Sequence, residues 1–416
     1  MSSGEGDSQA RITADAVARR SYGKLVAYLA ARTRDVSAAE DALSEAFASA
    51  LEDWPRNGCP SSPEAWLMTV ARRKMIDVAR RRTHRRDAAP DLQLMAEELE
   101  AASADGDIPD QRLALMFACA HPAIDAGIRA PLILQVVMGL DAATIASAFL
   151  MSPTAMGQRL VRAKNKIRNA RIPFRIPERA ELRDRLGTVL DAIYASFTQG
   201  WIDPAGTDIA MRDLADEAIF LGRLVTELLP GEPEAIGLLA LMLHAEARRH
   251  ARRNARGEYV PFAEQDTALW DSRMIDEAEA ILIRASSLGS IGRYQLEAAI
   301  QSAHVHRRRT GHANWESIVQ LYDALLALSG SPVVAINRAL AIAEMDGAGA
   351  ALAAMQELSA DARLDEYQPY WAARAELMAK TGAHADARHA YDLAIGLERD
   401  PAVRAFLQRR QSSLPR

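Results

Sequence analysis

The chain predicts an all-α protein. Alanine, leucine and arginine dominate its composition while runs of β-branched residues are scarce. Apolar residues recur three and four positions apart, the spacing that builds one buried face of a helix. Glycine and proline fall between these periodic stretches, where helices stop and start.

Residues 36–54, VSAAEDALSEAFASALEDW, open with Ser37 and Glu40 in capping-box spacing and put Leu43, Phe47, Leu51 and Trp54 on one face. The other face carries Asp41, Ser44, Glu45 and Glu52. A loop holding Pro55, Gly58, Pro60 and Pro63 leads to a second helix over 64–82, in which Trp66, Val70, Ile76 and Val78 are expected inward, with Lys74 and the arginines outside. One helix is acidic and the next strongly basic, so the pair has one face suited to a protein and another suited to phosphates.

Residues 87–110 contain Asp87, Asp91, Glu97, Glu98, Glu100, Asp105, Asp107 and Asp110 and neither lysine nor arginine, the composition of an acidic linker. Residues 139–168 then read as two short helices around a tight turn. Ser152 is placed to cap a helix beginning at Pro153, where a missing N–H costs nothing, and Met156, Leu160, Ala163 and Ile167 share its buried face. The opposite face presents Gln158, Arg159, Arg162, Lys164, Lys166 and Arg168 without a carboxylate. A helix-turn-helix offers the first turns of its second helix to base edges in the major groove, which points to Thr154, Gln158, Arg159 and Arg162 as readers. Gly157 costs roughly 1 kcal/mol against alanine inside a helix, which suggests close approach of another surface.

After a break at 173–177, amphipathic helices follow one another to the C-terminus. Tyr322-Asp323-Ala324-Leu325-Leu326-Ala327-Leu328 recurs as Tyr391-Asp392-Leu393-Ala394-Ile395-Gly396-Leu397, with Pro332 and Pro401 at the same offset. That separation is close to twice the 34-residue period of tetratricopeptide repeats, and Trp371, Ala375, Ala387, Tyr391 and Ala394 fit their order of large and small packing positions. Stacked helix pairs of this kind leave a concave surface for a partner.

The net charge of −5 hides an asymmetry, because cations concentrate at 72–86 and 159–175; local charge is what points to nucleic acid. Cys59 and Cys119 are too few for a disulfide framework and lack zinc-ligand spacing. The polar start and the absence of a long apolar run argue against export or membrane insertion and for a cytoplasmic protein. His244, Glu246 and His250 lack the i, i+4 pairing of a zinc-binding helix, and His304, His306 and His312 fall in an arginine-rich stretch with no matching carboxylate cluster. No phosphate loop, dinucleotide fingerprint or nucleophile elbow is present, so neither an enzyme nor a cofactor is expected.

The pair AEDALSEAF and AWLMTVARRKMIDVARRR, followed by a helix-turn-helix ending RLVRAKNKIR, resembles a bacterial RNA polymerase sigma factor of the extracytoplasmic-function class. The resemblance spans residues 21–168, with two independent motifs in the expected order. It implies sigma region 2 at 15–86, an acidic linker at 87–107 that threads toward the polymerase's RNA path, region 4 at 108–172, and a helical extension at 178–416. In that family the acidic helix binds core RNA polymerase, which implies this role for Asp41 and Glu45 with Phe47 as packing support. The basic helix and the loop before it engage the promoter −10 element, which implies Arg56, Asn57, Arg72, Arg73, Lys74, Asp77 and Arg80. Region 4 reads the −35 element, here through Thr154, Gln158, Arg159 and Arg162, with Lys166 on phosphate. Ser44 stands where the family usually has glutamine, and Thr144 where glutamate is common.

The whole arrangement is similar to a sigma-factor subgroup with a long tetratricopeptide-like extension. Phe117-Ala118-Cys119-Ala120-His121-Pro122, the segment from Gln265 to Asp271, and the segment from Ser331 to Ala339 carry that likeness, whereas the subgroup's Asn-Glu-Gly-Tyr motif appears as Thr198-Gln199-Gly200-Trp201. The resemblance implies regulation in cis by the extension, with an unidentified protein or ligand at the repeats. Two other classes compete: a DNA-binding regulator that never joins the polymerase, and a repeat scaffold with an incidental basic domain. The acidic face of Asp41 and Glu45 argues against the first, and the two basic helices against the second.

Overall fold

Ser3–Thr33, Val36–Asn57 and Pro63–Thr83 form helices α1, α2 and α3. The computed structural model describes residues 3–33, 36–83, 110–149, 151–169, 177–201 and 209–415. Among these residues every regular element is a helix, and the only bridge is an isolated one between Arg253 and Tyr259, as the all-α prediction requires.

The core of this first group is helical-period packing. Val17, Leu25 and Leu29 of α1 are buried with Leu43, Ala46, Ala50 and Trp54 of α2 and Leu67 and Ala71 of α3, and Trp54 meets Trp66 edge-on at 5.6 Å. Four details depart from the sequence expectation. Leu51 and Ile76 are 46% and 50% exposed, while Ala50, Leu67 and Ala71 are buried. Helix α2 runs through Pro55, whose missing N–H forfeits only one bond near a helix end. It stops where Gly58 takes φ +86° and donates to the Trp54 carbonyl. The helix also starts before Ser37, and Glu40 pairs with Lys164 at 2.7 Å instead of closing a capping box. The side chain of Val78 lies outside the described residues, as does the acidic segment 87–109.

Gln111–Cys119 (α4), Ala126–Val136 (α5), Ala142–Ala148 (α6) and Pro153–Asn169 (α7) follow. Asp110 caps α4 through the amides of Arg112 and Leu113, and Asp141 caps α6 through those of Ala143 and Thr144. A Cβ on Gly23 would fall 1.5 Å from the Val137 carbonyl oxygen, so α1 crosses the end of α5 at backbone contact and tolerates no side chain there.

Arg179–Trp201 (α8) and Ile209–Leu228 (α9) come next. The chain divides into two compact units, one reaching Gly200 and taking in Ile209–Leu224, the other comprising Trp201–Asp208 and Val225–Arg416. Helix α8, which follows the expected start of the extension at 178, lies in the first of these units up to Gly200. Arg185 of α8 is 3% exposed and donates to the Phe117 carbonyl of α4 at 3.2 Å, and Glu217 of α9 pairs with Arg112. A chain ended at Arg175 loses both ties. It is expected to melt at least about 4 °C below one ended at Leu228, since a hydrogen bond to a charged group contributes about 1.5–3 kcal/mol; equal midpoints by circular dichroism would show that α8 adds nothing to this unit.

In the second unit Pro233–Glu246 (α10), Ser272–Ser286 (α11) and Arg293–Val305 (α12) pack closely. A Cβ on Gly237 would come within 2.7 Å of the Gln295 amide nitrogen, and the Glu234 carboxylate accepts from the amides of Tyr294 and Gln295 at the start of α12. After the short turn Arg307–Thr310 (α13), the helices Trp315–Ser329 (α14), Pro332–Asp346 (α15), Ala348–Ala354 (α16), Gln368–Lys380 (α17), His384–Leu397 (α18) and Pro401–Ser412 (α19) each pack against the next. The sequence repeat has a structural counterpart: Tyr322 and Tyr391 lie in α14 and α18, and Pro332 and Pro401 are the first residues of α15 and α19.

Candidate nucleic-acid interface

Because Ala39, Leu43, Ala46 and Ala50 turn one side of α2 inward, Asp41, Ser44 and Glu45 are left exposed on another. Asp41 and Glu45 stand one helical turn apart, so their charges share a face. Phe47 is partly buried and stacks on Tyr22 with centroids 6.4 Å apart. Glu40 is withdrawn from this acidic face by its pair with Lys164.

The cations of α3 divide. Arg73 is exposed, whereas Arg72 Nη2 donates to the Tyr28 hydroxyl at 2.6 Å and Lys74 pairs with Glu45 at 3.3 Å. Arg56 and Asn57 occupy the last turn of α2 rather than the loop beyond it, and Asn57 donates to Asp53 at 2.7 Å. Asp77 and Arg80 belong to α3, but their side chains lie outside the described residues.

The geometry of α6, the turn after it and the start of α7 follows from local chemistry. Gly139 takes φ +69°, Asp141 caps α6, and the Met151 amide donates back to the Ala146 carbonyl to close the turn. The Asp141 carboxyl is held below its ordinary range, chiefly by the Thr144 amide against a smaller opposing effect of burial. Thr144 also donates its hydroxyl to Asp141, so it serves the cap where the resembling family often has glutamate. Ser152 Oγ accepts from the Ala155 amide at 3.3 Å with Pro153 as first residue of α7, as the sequence predicts. Met156, Leu160 and Ala163 are buried, and Ile167 is partly so. A Cβ on Gly157 would lie 3.9 Å from that of Ala142; the neighbouring surface is α6 itself, at ordinary contact distance.

Thr154, Gln158, Arg162 and Lys166 project to solvent from α7. Arg159 is partly covered, its guanidinium 3.6 Å from Asp125 and 3.4 Å from Met151 Sδ. The exposed face is thus carried by Arg162 and Lys166, which together with Arg159, Asp125 and Ile128 line a cleft of about 260 Å³ between α5 and α7. Sequence reasoning missed the two acidic partners, Glu40 and Asp125, since nothing in a helical period indicates which distant carboxylate will face a given cation.

Residues 17–85, which include the acidic face of α2 and the basic helix α3, match the sigma-70 region 2 family. The match covers the second half of α1 and all of α2 and α3, and it gives the chain a sigma-factor-like role in transcription initiation, with the binding of core RNA polymerase and promoter DNA that this domain carries. Residues 185–286 match a family of unknown function, DUF6596. The chain belongs to the same family as an uncharacterized protein of Rhizobium meliloti (strain 1021), to which it is 38% identical over 395 residues, covering 94% of this chain and 92% of that one. No solved structure matches it. Among the described residues no helix is long and apolar enough to cross a membrane.

Proposed function

We propose that the protein is an alternative sigma factor of the extracytoplasmic-function class, in which α2 docks on core polymerase, α3 engages the −10 element, α7 reads the −35 element and the C-terminal helices regulate these contacts in cis. The observation that carries this reading is the sigma-70 region 2 match at 17–85 in a chain whose next helical group ends in two helices joined by a tight turn, the second capped by Ser152 and basic on its exposed face. In core docking, Asp41 and Glu45 supply charge and Phe47 packing. At the −10 element we assign Arg56, Asn57, Arg72, Arg73, Lys74, Asp77 and Arg80. Because Lys74 is already paired with Glu45 and Arg72 with Tyr28, engagement of DNA there involves exchanging an internal contact for a phosphate.

Cis regulation is supported by how α1, α2, α5 and α7 meet. The pair of Glu40 and Lys164 and the backbone contact at Gly23 tie the first helical group to the second, while reading two separated promoter elements favours domains free to part. This arrangement fits an occluded state, released by a protein or ligand bound to the tetratricopeptide-like helices. An effector shifts such a balance only by its differential affinity for the two states, and tenfold regulation corresponds to about 1.4 kcal/mol.

Run-off transcription with purified core polymerase tests the central claim: promoter-specific transcripts are expected with the full chain, and none with core alone. DNA binding without any transcript would make the protein a regulator outside the polymerase. For the reading helix, Arg162→Ala is expected to relax preference at one position of the −35 element by about 1–3 kcal/mol. Lys166→Ala is expected to weaken all sequences alike and flatten the salt dependence. Arg159→Ala is expected to have the smaller effect on selectivity of the two arginines, because Asp125 holds its guanidinium. A uniform loss for all three in a binding-site selection experiment would assign them to phosphate.

A further inference from the structure

The second unit contains a cavity of about 660 Å³, within the size range of small-molecule sites. Its wall includes Phe262, Gln301, His304, Trp315, Tyr322 and Arg248. Arg248 is 9% exposed and is held from below: its Nε donates to the His244 carbonyl at 3.3 Å and its Nη2 to Gln301 Oε1 at 2.7 Å. Its guanidinium lies 4.5 Å from the Phe262 ring centroid, and Arg307 lies 4.7 Å from the same ring. Arg307 is in turn committed to the Phe262 and Ala263 carbonyls.

Among the described residues neither Arg248 nor Arg307 has a carboxylate in ion-pair range, although other cations of the same cavity do: Lys380 faces Glu344 at 3.8 Å and Arg410 pairs with Glu376. Glu264, which also lines the cavity, is exposed, so water already solvates its charge. A buried cation is ordinarily paired, because taking it out of water without a counter-charge is costly. Arg248 is therefore a guanidinium with hydrogen-bonding capacity to spare at Nη1, no internal anion, and a hollow in front of it. The fork of an arginine matches a carboxylate in two parallel hydrogen bonds. Phe262, Trp315 and Tyr322 supply flat, largely apolar wall beside it.

We propose that this cavity binds a small organic acid, its carboxylate on Arg248 and its apolar or aromatic body against Phe262, Trp315 and Tyr322. The inference names a ligand class for the regulatory reading of the extension and rests on that reading only for its consequence, since binding is measurable without polymerase.

The test uses the full chain, calorimetry and thermal melting, with indoleacetate and octanoate as probes, their uncharged amides as controls, and inorganic phosphate as a bare oxyanion. At least one acid is expected to bind and raise the melting midpoint, with its amide bound at least about tenfold more weakly, as loss of a charge-assisted contact predicts. Gln301→Glu places a carboxylate beside Arg248 from within the protein; it is expected to raise the midpoint of the unliganded chain and to weaken acid binding at least about tenfold. Arg248→Gln is expected to weaken the acid similarly, and a fold lost in that variant leaves Gln301→Glu to decide. Acid and amide binding alike, no acid binding, unchanged acid binding by Gln301→Glu, or displacement of the acid by an equal concentration of phosphate would each overturn the proposal. Acid binding that leaves run-off yield unchanged would uphold the site and overturn cis regulation through it.

Discussion

Reversal of both charges in Asp41→Lys/Glu45→Lys is expected to abolish retention of the protein by core RNA polymerase while leaving its helical circular dichroism intact. Both side chains are exposed on α2, and in this reading they meet a basic surface. Replacing attraction by like charge at close contacts costs several kcal/mol, at least about a hundredfold in affinity. The fold gives up little in return. Glu45 loses an ion pair to Lys74 in which the two side chains are 59% and 42% exposed, and such surface pairs contribute about 0–1 kcal/mol. Phe47→Ala is the informative contrast, because the ring stacks on Tyr22 and its loss is expected to lower the melting temperature more than it weakens docking. Unchanged retention of a folded double variant would remove α2 from the docking surface.

How much of this was legible in the sequence depends on the range of the interaction. Signals that act within a few residues read through well: Ser152 and Pro153 at the start of α7, and the recurrence of Tyr322 and Pro332 as Tyr391 and Pro401. The helical period identified the buried stripe of α7, since one face of that helix is plainly apolar. It failed for Leu51 and Ile76, which are exposed; a period gives the direction of a face and not its width. Longer-range facts were illegible. That Arg159 is held by Asp125, Lys164 by Glu40 and Arg112 by Glu217 depends on which helices lie together. That α8 would pack in the first compact unit was equally hidden in the sequence. At the second cavity the sequence showed histidines without ligand spacing, but could not show that Arg248 would be buried beside them without a carboxylate.

The second large effect expected is acid lability of the C-terminal unit. His244 is fully buried, neither ring nitrogen has a hydrogen-bond partner, and its nearest carboxylate, Glu279, stands 3.4 Å from Nε2. His304 is packed edge-on against Phe262 at 5.1 Å and Trp315 at 5.5 Å. Burial, and after it Arg248, lowers both imidazoles to about 4, with Arg307 adding to the effect at His304. Both are bases whose folded pKa is depressed, so the unfolded chain takes up protons first as pH falls. Stability is complete above the ordinary histidine value of about 6.5, declines between about 6.5 and about 4, and is not reduced further by these groups below that. A shift of this size corresponds to about 3 kcal/mol at His244, with a smaller share at the less buried His304. Urea denaturation followed by tryptophan fluorescence at about pH 7 and about pH 5 measures the slope directly. Trp270 and Trp315 report on this unit through their contacts with Phe262 and His304. His244→Leu, which removes the titrating ring without adding a polar group, is expected to lose distinctly less stability across that interval than the parent chain. An identical decline in parent and variant would place the acid sensitivity elsewhere and show that His244 is protonated in the folded protein without cost.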